Sequence, residues 1–244
     1  MKLVKIFFLI FSAFSVSLSY YGTGLSISDS DNNDALLFNP AGLAINHGKQ
    51  FDFYAIQNED SNQRNFSISY KTKGFGIGYE NNNSKNYFRV GFSEKIYKNL
   101  YAGVVYKNKL NVVDAGLLYR PFNFISFGLR TSTINNDYEN FDLSLGVRPF
   151  GCKLLTMGFD HKYDKDLESL NTSVFLKTIP LEGFELSAML SSNEYENNGM
   201  PIFDFEKLDK HNLKINLGIN TSNMKQIFSN SDDGTQMYGI AFNT

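Results

Sequence analysis

From Gln50 to the end of the chain, apolar and polar residues trade places at nearly every step. The clearest run is NFDLSLGVR at 140–148, with Phe141, Leu143, Leu145 and Val147 in one phase and Asp142, Ser144, Gly146 and Arg148 in the other. The same rhythm carries Phe66/Ile68/Tyr70, Phe88/Val90/Phe92, Leu100/Ala102/Val104/Tyr106, Val113/Ala115/Leu117/Tyr119 and Leu213/Ile215/Leu217/Ile219. Successive side chains of a strand point to opposite faces, so a period of two over such lengths is the signature of strands with one oily and one polar side.

Two kinds of connector separate the runs. KTKG (71–74), RPF (120–122), RPFG (148–151) and IPLEG (179–183) hold Gly or Pro and predict tight turns. NEDSNQ (58–63), NNNSK (81–85), INNDYE (134–139) and the stretch 193–210 predict longer polar loops. Short turns at one rim and long loops at the other describe an outer-membrane barrel, whose two chain ends on one side require an even number of strands. With NMKQIFSN (223–230) counted as one of them, the sequence predicts an all-β, transmembrane antiparallel β-barrel of about 14 strands over 50–244, with 12 as the alternative. A soluble β-sandwich or lipocalin-like barrel also alternates. The number of runs, the lack of long crossovers, and Phe and Tyr near run ends weigh against it. The mean hydropathy of −0.27 does not decide the matter, because only alternate residues of a membrane strand face lipid.

The amino terminus predicts export. Lys2 and Lys5 precede an apolar run from Ile6 to Val16, and Ser17–Ser19 supply small residues for cleavage, so 1–19 reads as a signal peptide for Sec-dependent export. The apolar run is shorter than the roughly 20 residues a spanning helix needs. The expected location is the outer membrane of a Gram-negative-type envelope, with membrane lipid as the surrounding partner. One cysteine, Cys152, excludes an intrachain disulfide, and a net charge of −2 offers no basic face for nucleic acid.

Residues 20–49 break the rhythm. Asp31 or Asn32 can cap a short helix through NDALLF, Asn39 before Pro40 should end it, and Pro40 can start a second turn through AGLA, with Gly42 free to adopt a backbone conformation other residues avoid. A barrel of this width is not filled by its own side chains, so this kinked piece is expected to plug its mouth; a surface turn outside the barrel is the other possibility. The stretch DALLFNPAGLA, after GTGLSISDSD and before a barrel, resembles the amino-terminal signature of the FadL-type outer-membrane superfamily, which includes long-chain fatty-acid transporters and PorV/PorQ-type proteins linked to secretion. The family's hatch triplet maps onto Asn39, Pro40 and Ala41, with Gly42 and Leu43 extending the match. The resemblance implies a plugged transport barrel. YRPFNFISFGLR and VRPFGCKLLTMGFD are also similar to barrel modules fused ahead of signal-peptide-peptidase domains.

The polar phase carries Arg89, Asp114, Arg130, Asp142, Arg148, Asp160, Lys162, Lys177, Glu185 and Lys214, with Phe175 and Met189 as its few apolar members. Charges of both signs on neighbouring strands can cross-pair in a closed lumen or line a narrow wet channel; they do not describe an apolar tunnel for an acyl chain. No enzyme is expected. His47, His161 and His211 lack metal-ligand spacing, His161 falls in the lipid-facing phase without a serine partner, and Asp232/Asp233 sit in a polar loop. GFGIG (74–78) has no following helix and is no phosphate loop; its glycines are inward strand positions that leave room. No cofactor or metal is expected. Two functions remain open: passive transport or binding of a small solute, hydrophobic molecules included, or a closed docking barrel whose 193–210 loop engages secreted or surface proteins.

Overall fold

The computed structural model describes residues 26–45, 48–58, 61–82, 85–108, 111–134, 137–164, 166, 169–181, 184–192, 211–220, 224–231 and 235–243. The leader 1–19, the following residues to Leu25, His47, the 193–210 loop and Asp232/Asp233 lie outside them. The described chain is all-β after three 3₁₀ turns. The strands are β1 (Gln50–Asn58), β2 (Ser61–Thr72), β3 (Phe75–Asn82), β4 (Lys85–Tyr97), β5 (Leu100–Lys107), β6 (Val112–Phe122) and β7 (Ile125–Ile134). They continue as β8 (Asp137–Val147), β9 (Leu155–Asp164), β10 (Ser169–Leu181), β11 (Phe184–Ser192), β12 (His211–Asn220), β13 (Met224–Ser231) and β14 (Thr235–Asn243).

Each strand pairs antiparallel with its sequence neighbours, and β1 pairs with both β2 and β14, so the order of pairings returns on itself as a barrel. Such closure leaves no edge strand with unpaired backbone groups. The oily phase faces out: Leu143 and Leu145 are 38% and 37% exposed, and Phe51, Phe53, Phe92, Leu117 and Tyr119 also stand at the outer surface. On β5 the two faces separate within one residue, Val104 being 48% exposed and Val105 fully buried.

Several connectors differ from their sequence reading. The stretches 58–63, 81–85 and 134–139 are mostly taken up by strands, because backbone pairing across each hairpin extends into the Asn-rich residues; Asn81↔Asn86 and Asn82↔Lys85 are ladder partners. Arg120–Phe122 is not a turn but the end of β6, and Ile179–Leu181 likewise ends β10. Pro121 and Pro180 fall where the register slips, between Tyr119 and Phe122 and between Thr178 and Leu181, the places in a ladder where a missing N–H is tolerated. The turns at Gly74 and Gly151 do need glycine, with φ of 76° and 65°.

The buried core lies between the inner wall and the segment Ser26–Ile45. Ala35, Leu36, Leu43 and Val105 form its apolar centre. The wall is made of glycine where the segment touches it. A Cβ added at Gly76 or Gly91 would come within 2.8 or 2.7 Å of Leu43, at Gly103 within 2.5 Å of the Pro40 backbone, and at Gly128 within 2.9 Å of Ile27. Gly76 pairs with Gly91 and Gly103 with Gly116, so these glycines are ladder partners on adjacent strands. Together they form a recess shaped for one piece of chain.

Candidate functional site

The segment is built from local rules. Its turns are Ile27–Asp29, Asn33–Leu36 and Pro40–Ala44. Ser26 caps the first by accepting from the Ser28 amide. Asn32 stands at the cap position of the second, but its side chain makes no cap bond. Asn39 caps the third by accepting from the Ala41 amide at 3.1 Å, and Pro40 occupies the first helical position, where its missing N–H costs nothing. The Asn39 amide also donates to the Ile27 carbonyl at 3.1 Å and to the Leu117 carbonyl of β6 at 3.0 Å. One side chain thus ties two turns and the wall together.

The reason for glycine at 42 differs from its sequence reading. Among the described residues the positive-φ glycines are Gly48, Gly74 and Gly151, and Gly42 is not one of them. Space is the constraint instead: a Cβ there would lie 1.5 Å from the Ser30 carbonyl oxygen. Ala41 and Leu43 are fully buried, Leu43 against Gly76 and Gly91.

Charge fixes the segment at the rim where β6 ends and β7 begins. Asp29 pairs with Arg148 at 2.6 Å and Lys177 at 3.2 Å. Asp31 pairs with Arg120, with Arg148 at 3.4 Å and with Lys153 at 3.8 Å. Lys71, fully buried, donates to the Asp31 carbonyl and, at 3.1 Å each, to those of Gly42 and Ile45. Asp160 accepts from Ser26 at 2.7 Å, from the Ile27 amide at 3.3 Å and from Ser144. Burial alone would raise the Asp29 carboxyl; Lys177, Arg148 and Lys153 outweigh it, and the neighbouring Asp31, and hold the group below its ordinary value of 3.8. Burial would lower the Arg148 guanidinium, but Asp29 and Asp31 reverse this and raise it above its ordinary value.

A pH prediction follows from Asp29. A depressed carboxyl contributes stability above its unfolded value and loses it as pH falls through the folded one. Asp29→Asn should therefore lower the melting temperature of the detergent-solubilised protein at pH 7. The gap from wild type should hold down to about pH 5 and close as pH falls below 3.8. A gap that widens in acid contradicts this assignment.

A second charge row lies toward the opposite rim, where β5 ends and β6 begins. Glu80 of β3 meets Arg89 of β4. Asp114 of β6 takes Lys107 of β5 at 2.6 Å and Arg130 of β7 at 3.3 Å, and Arg130 reaches Asp142 of β8 at 3.8 Å. Lys162 of β9 is the ladder partner of Asp142. Phe175 lies over Gly158 and is buried, opposite Met189 in the ladder. Glu185 and Lys214 occupy ladder positions on β11 and β12, and their side chains lie outside the described residues, as does that of His211.

Several residues of this interior escaped the sequence reading. Asp29, Asp31, Lys71, Glu80, Lys107, Arg120 and Lys153 all join the networks above, and Tyr54, Val105 and Leu118 are buried on the inner face. The alternation itself places Lys71, Glu80 and Lys107 in the inward phase, but Lys71 also opens the stretch KTKG read as a turn, and Glu80 and Lys107 stand at run ends and were left out of the inward set. His161 holds an outward ladder position and is nevertheless 5% exposed: its Nδ1 lies 2.8 Å from the Thr172 hydroxyl, and its ring is flanked by Phe159 and Tyr163. Among the described residues no group of three or more His, Cys, Asp or Glu side chains could hold a metal ion.

No family model and no curated protein matches the chain. Solved structures do. The chain is similar to the CymD monoaromatic hydrocarbon channel, with a TM-score of 0.57 and 9% identity over 91% of this chain and 95% of that one. It is also similar to the toluene transporter TodX of P. putida, with a TM-score of 0.55 and 10% identity over 94% of this chain and 96% of that one. At these identities the likeness is one of fold, and it runs through nearly the whole length of both channels.

Proposed function

We propose that this chain is an outer-membrane β-barrel of the FadL type, plugged by its amino-terminal segment, that passes a small hydrophobic solute when the segment shifts. The observation that carries the reading is the glycine wall. Inward positions from β3 to β8 give up their side chains where Asn39, Pro40, Leu43, Ile27 and Ser28 press against them. A barrel that needed only to be closed would fill those positions with its own side chains.

The outer band supports the membrane part of the reading. Exposed Phe, Leu, Val and Tyr recur on the outer face of β1 and of β4 to β10, a far larger apolar surface than a soluble monomer tolerates. The fold likeness to a hydrocarbon channel and a toluene transporter supports the solute class. The motif Asn39-Pro40-Ala41-Gly42-Leu43 supports the FadL assignment, since it supplies the cap, the turn and the buried leucine of the segment. The inner charge rows argue against a long acyl chain as cargo, because an extended apolar tail would have to displace paired ions.

Planar-bilayer recording tests the proposal. Wild-type protein should be nearly silent, and a variant lacking residues 20–49 should conduct steadily. If both are silent, the closed docking barrel replaces this reading. If the mature protein stays in the soluble fraction of lysed cells, the membrane assignment fails as well.

A further inference from the structure

The rim that holds the segment gathers part-buried charges of both signs. Arg120, Arg148, Lys153 and Lys177 gather around Asp29 and Asp31. Lys71 adds a fifth cation beside them, whose neighbouring carboxylates are Asp31, Asp34 and Asp52. Part-buried charges of one sign repel one another strongly unless a counter-charge is present.

Beside the two arginines opens a cavity of about 230 Å³. Its lining includes Arg120 and Arg148 together with Asn99, Asn123, Ser126 and Thr156. Polar side chains thus line the space from β6, β7 and β9 and from the connections beside them. Asp29 is the one carboxylate in the lining, and both of its oxygens are engaged, Oδ1 by Arg148 and Oδ2 by Lys177. Arg120 is largely spent on Asp31, Ser28 and Ser126. Arg148 is not: its Nη2 serves Asp29 and Asp31, which leaves Nε and Nη1 for another acceptor. A guanidinium edge of that kind matches the paired oxygens of a carboxylate or phosphate.

We propose that this cavity is a binding site for a small oxyanion, a phosphate or carboxylate group, held by Arg148 with Asn123, Asn99 and Thr156 around it. The bound anion pairs with the Arg148 edge that Asp29 and Asp31 leave open and so tightens the rim around them. The site does not depend on whether the barrel conducts, since its parts are all in the closed arrangement described.

The test is calorimetric titration of inorganic phosphate into the full-length mature protein in nonionic detergent, with ionic strength held constant by chloride. Saturable binding is expected, weakened at least tenfold in Arg148→Gln. Because Arg148 also holds the segment, Asn123→Asp serves as the second variant. Asn123 is exposed in the β6–β7 turn, and the added carboxylate should repel the anion and weaken binding by a similar factor while the barrel stays folded. Competition by acetate marks a site for free solutes; competition only by micellar phosphatidylglycerol marks a site for a lipid headgroup. Both outcomes support the proposal. Phosphate heats no larger than those of chloride, or unchanged binding in both variants, would overturn it.

Discussion

Gly42→Ala is expected to release the amino-terminal segment while leaving the barrel folded. The added methyl carbon would lie 1.5 Å from the Ser30 carbonyl oxygen and 3.1 Å from the Ala35 Cβ. The first neighbour is backbone and cannot swing aside, so the turn Pro40–Ala44 must move away from Ser30 and from Ala35 in the turn Asn33–Leu36. Separation withdraws Leu36 and Leu43 from the core they form with Ala35 and Val105. Burial of each leucine is worth about 1.5–3 kcal/mol, so docking weakens by several kcal/mol, a large share of any marginal attachment. It also removes the Gly42 carbonyl from Lys71. None of the strand pairings passes through Gly42, so the heat-dependent gel mobility of a folded barrel should persist. Hydrogen exchange of the 26–45 amides should rise by at least a hundredfold, and bilayer conductance should appear. Gly78→Ala is the matched control: its Cβ meets Leu36 at an ordinary 3.6 Å and should change neither readout. If the two variants behave alike, the segment is not held by close packing and the plug reading loses its basis.

Period-two patterning made the strands legible, because burial on one face and exposure on the other is a property of each residue and its neighbours. Phe141 to Arg148 could be assigned a face before any partner was known. Pro40 was legible for the same reason, since a first-turn proline acts within three residues; the cap on Asn39 was not, because the residue before a proline reads first as the end of the preceding turn. What the pattern could not give was pairing over distance. Asp29 and Arg148 lie 119 positions apart, and nothing local to either announces the other. The ends of β2 and β3 were misread because KTKG and NNNSK are made of Lys, Gly and Asn, residues that favour turns until a neighbouring strand offers a ladder. Gly42 shows a subtler failure. Glycine suggested an unusual backbone angle, whereas the structure uses it to let the Ser30 carbonyl approach.

Asp114→Asn is expected to destabilise the barrel more than any other single change in the second charge row, where β5 ends and β6 begins. Asp114 is the one carboxylate shared by Lys107 at 2.6 Å and Arg130 at 3.3 Å, and it also accepts from Ser132 at 2.5 Å. All three charged side chains are at least 86% removed from solvent, with exposures of 2%, 14% and 12% for Asp114, Lys107 and Arg130. Asparagine keeps the shape and one acceptor but removes the charge that makes two buried cations tolerable. Breaking a buried pair by removing one partner costs about 3–5 kcal/mol, so the urea midpoint should fall by about 1 M or more. Adding Lys107→Met should recover over half of the loss, since Arg130 then keeps Asp142 at 3.8 Å and only one cation has lost its partner. That recovery separates two pictures of the lumen. If the row is structural, stability is lost and regained with charge balance and the residual conductance is indifferent to it. If water fills the space between β5 and β8, Asp114→Asn changes ion selectivity with little effect on the midpoint, because hydrated charges need no partner. The short contacts and low exposure along the row favour the first outcome.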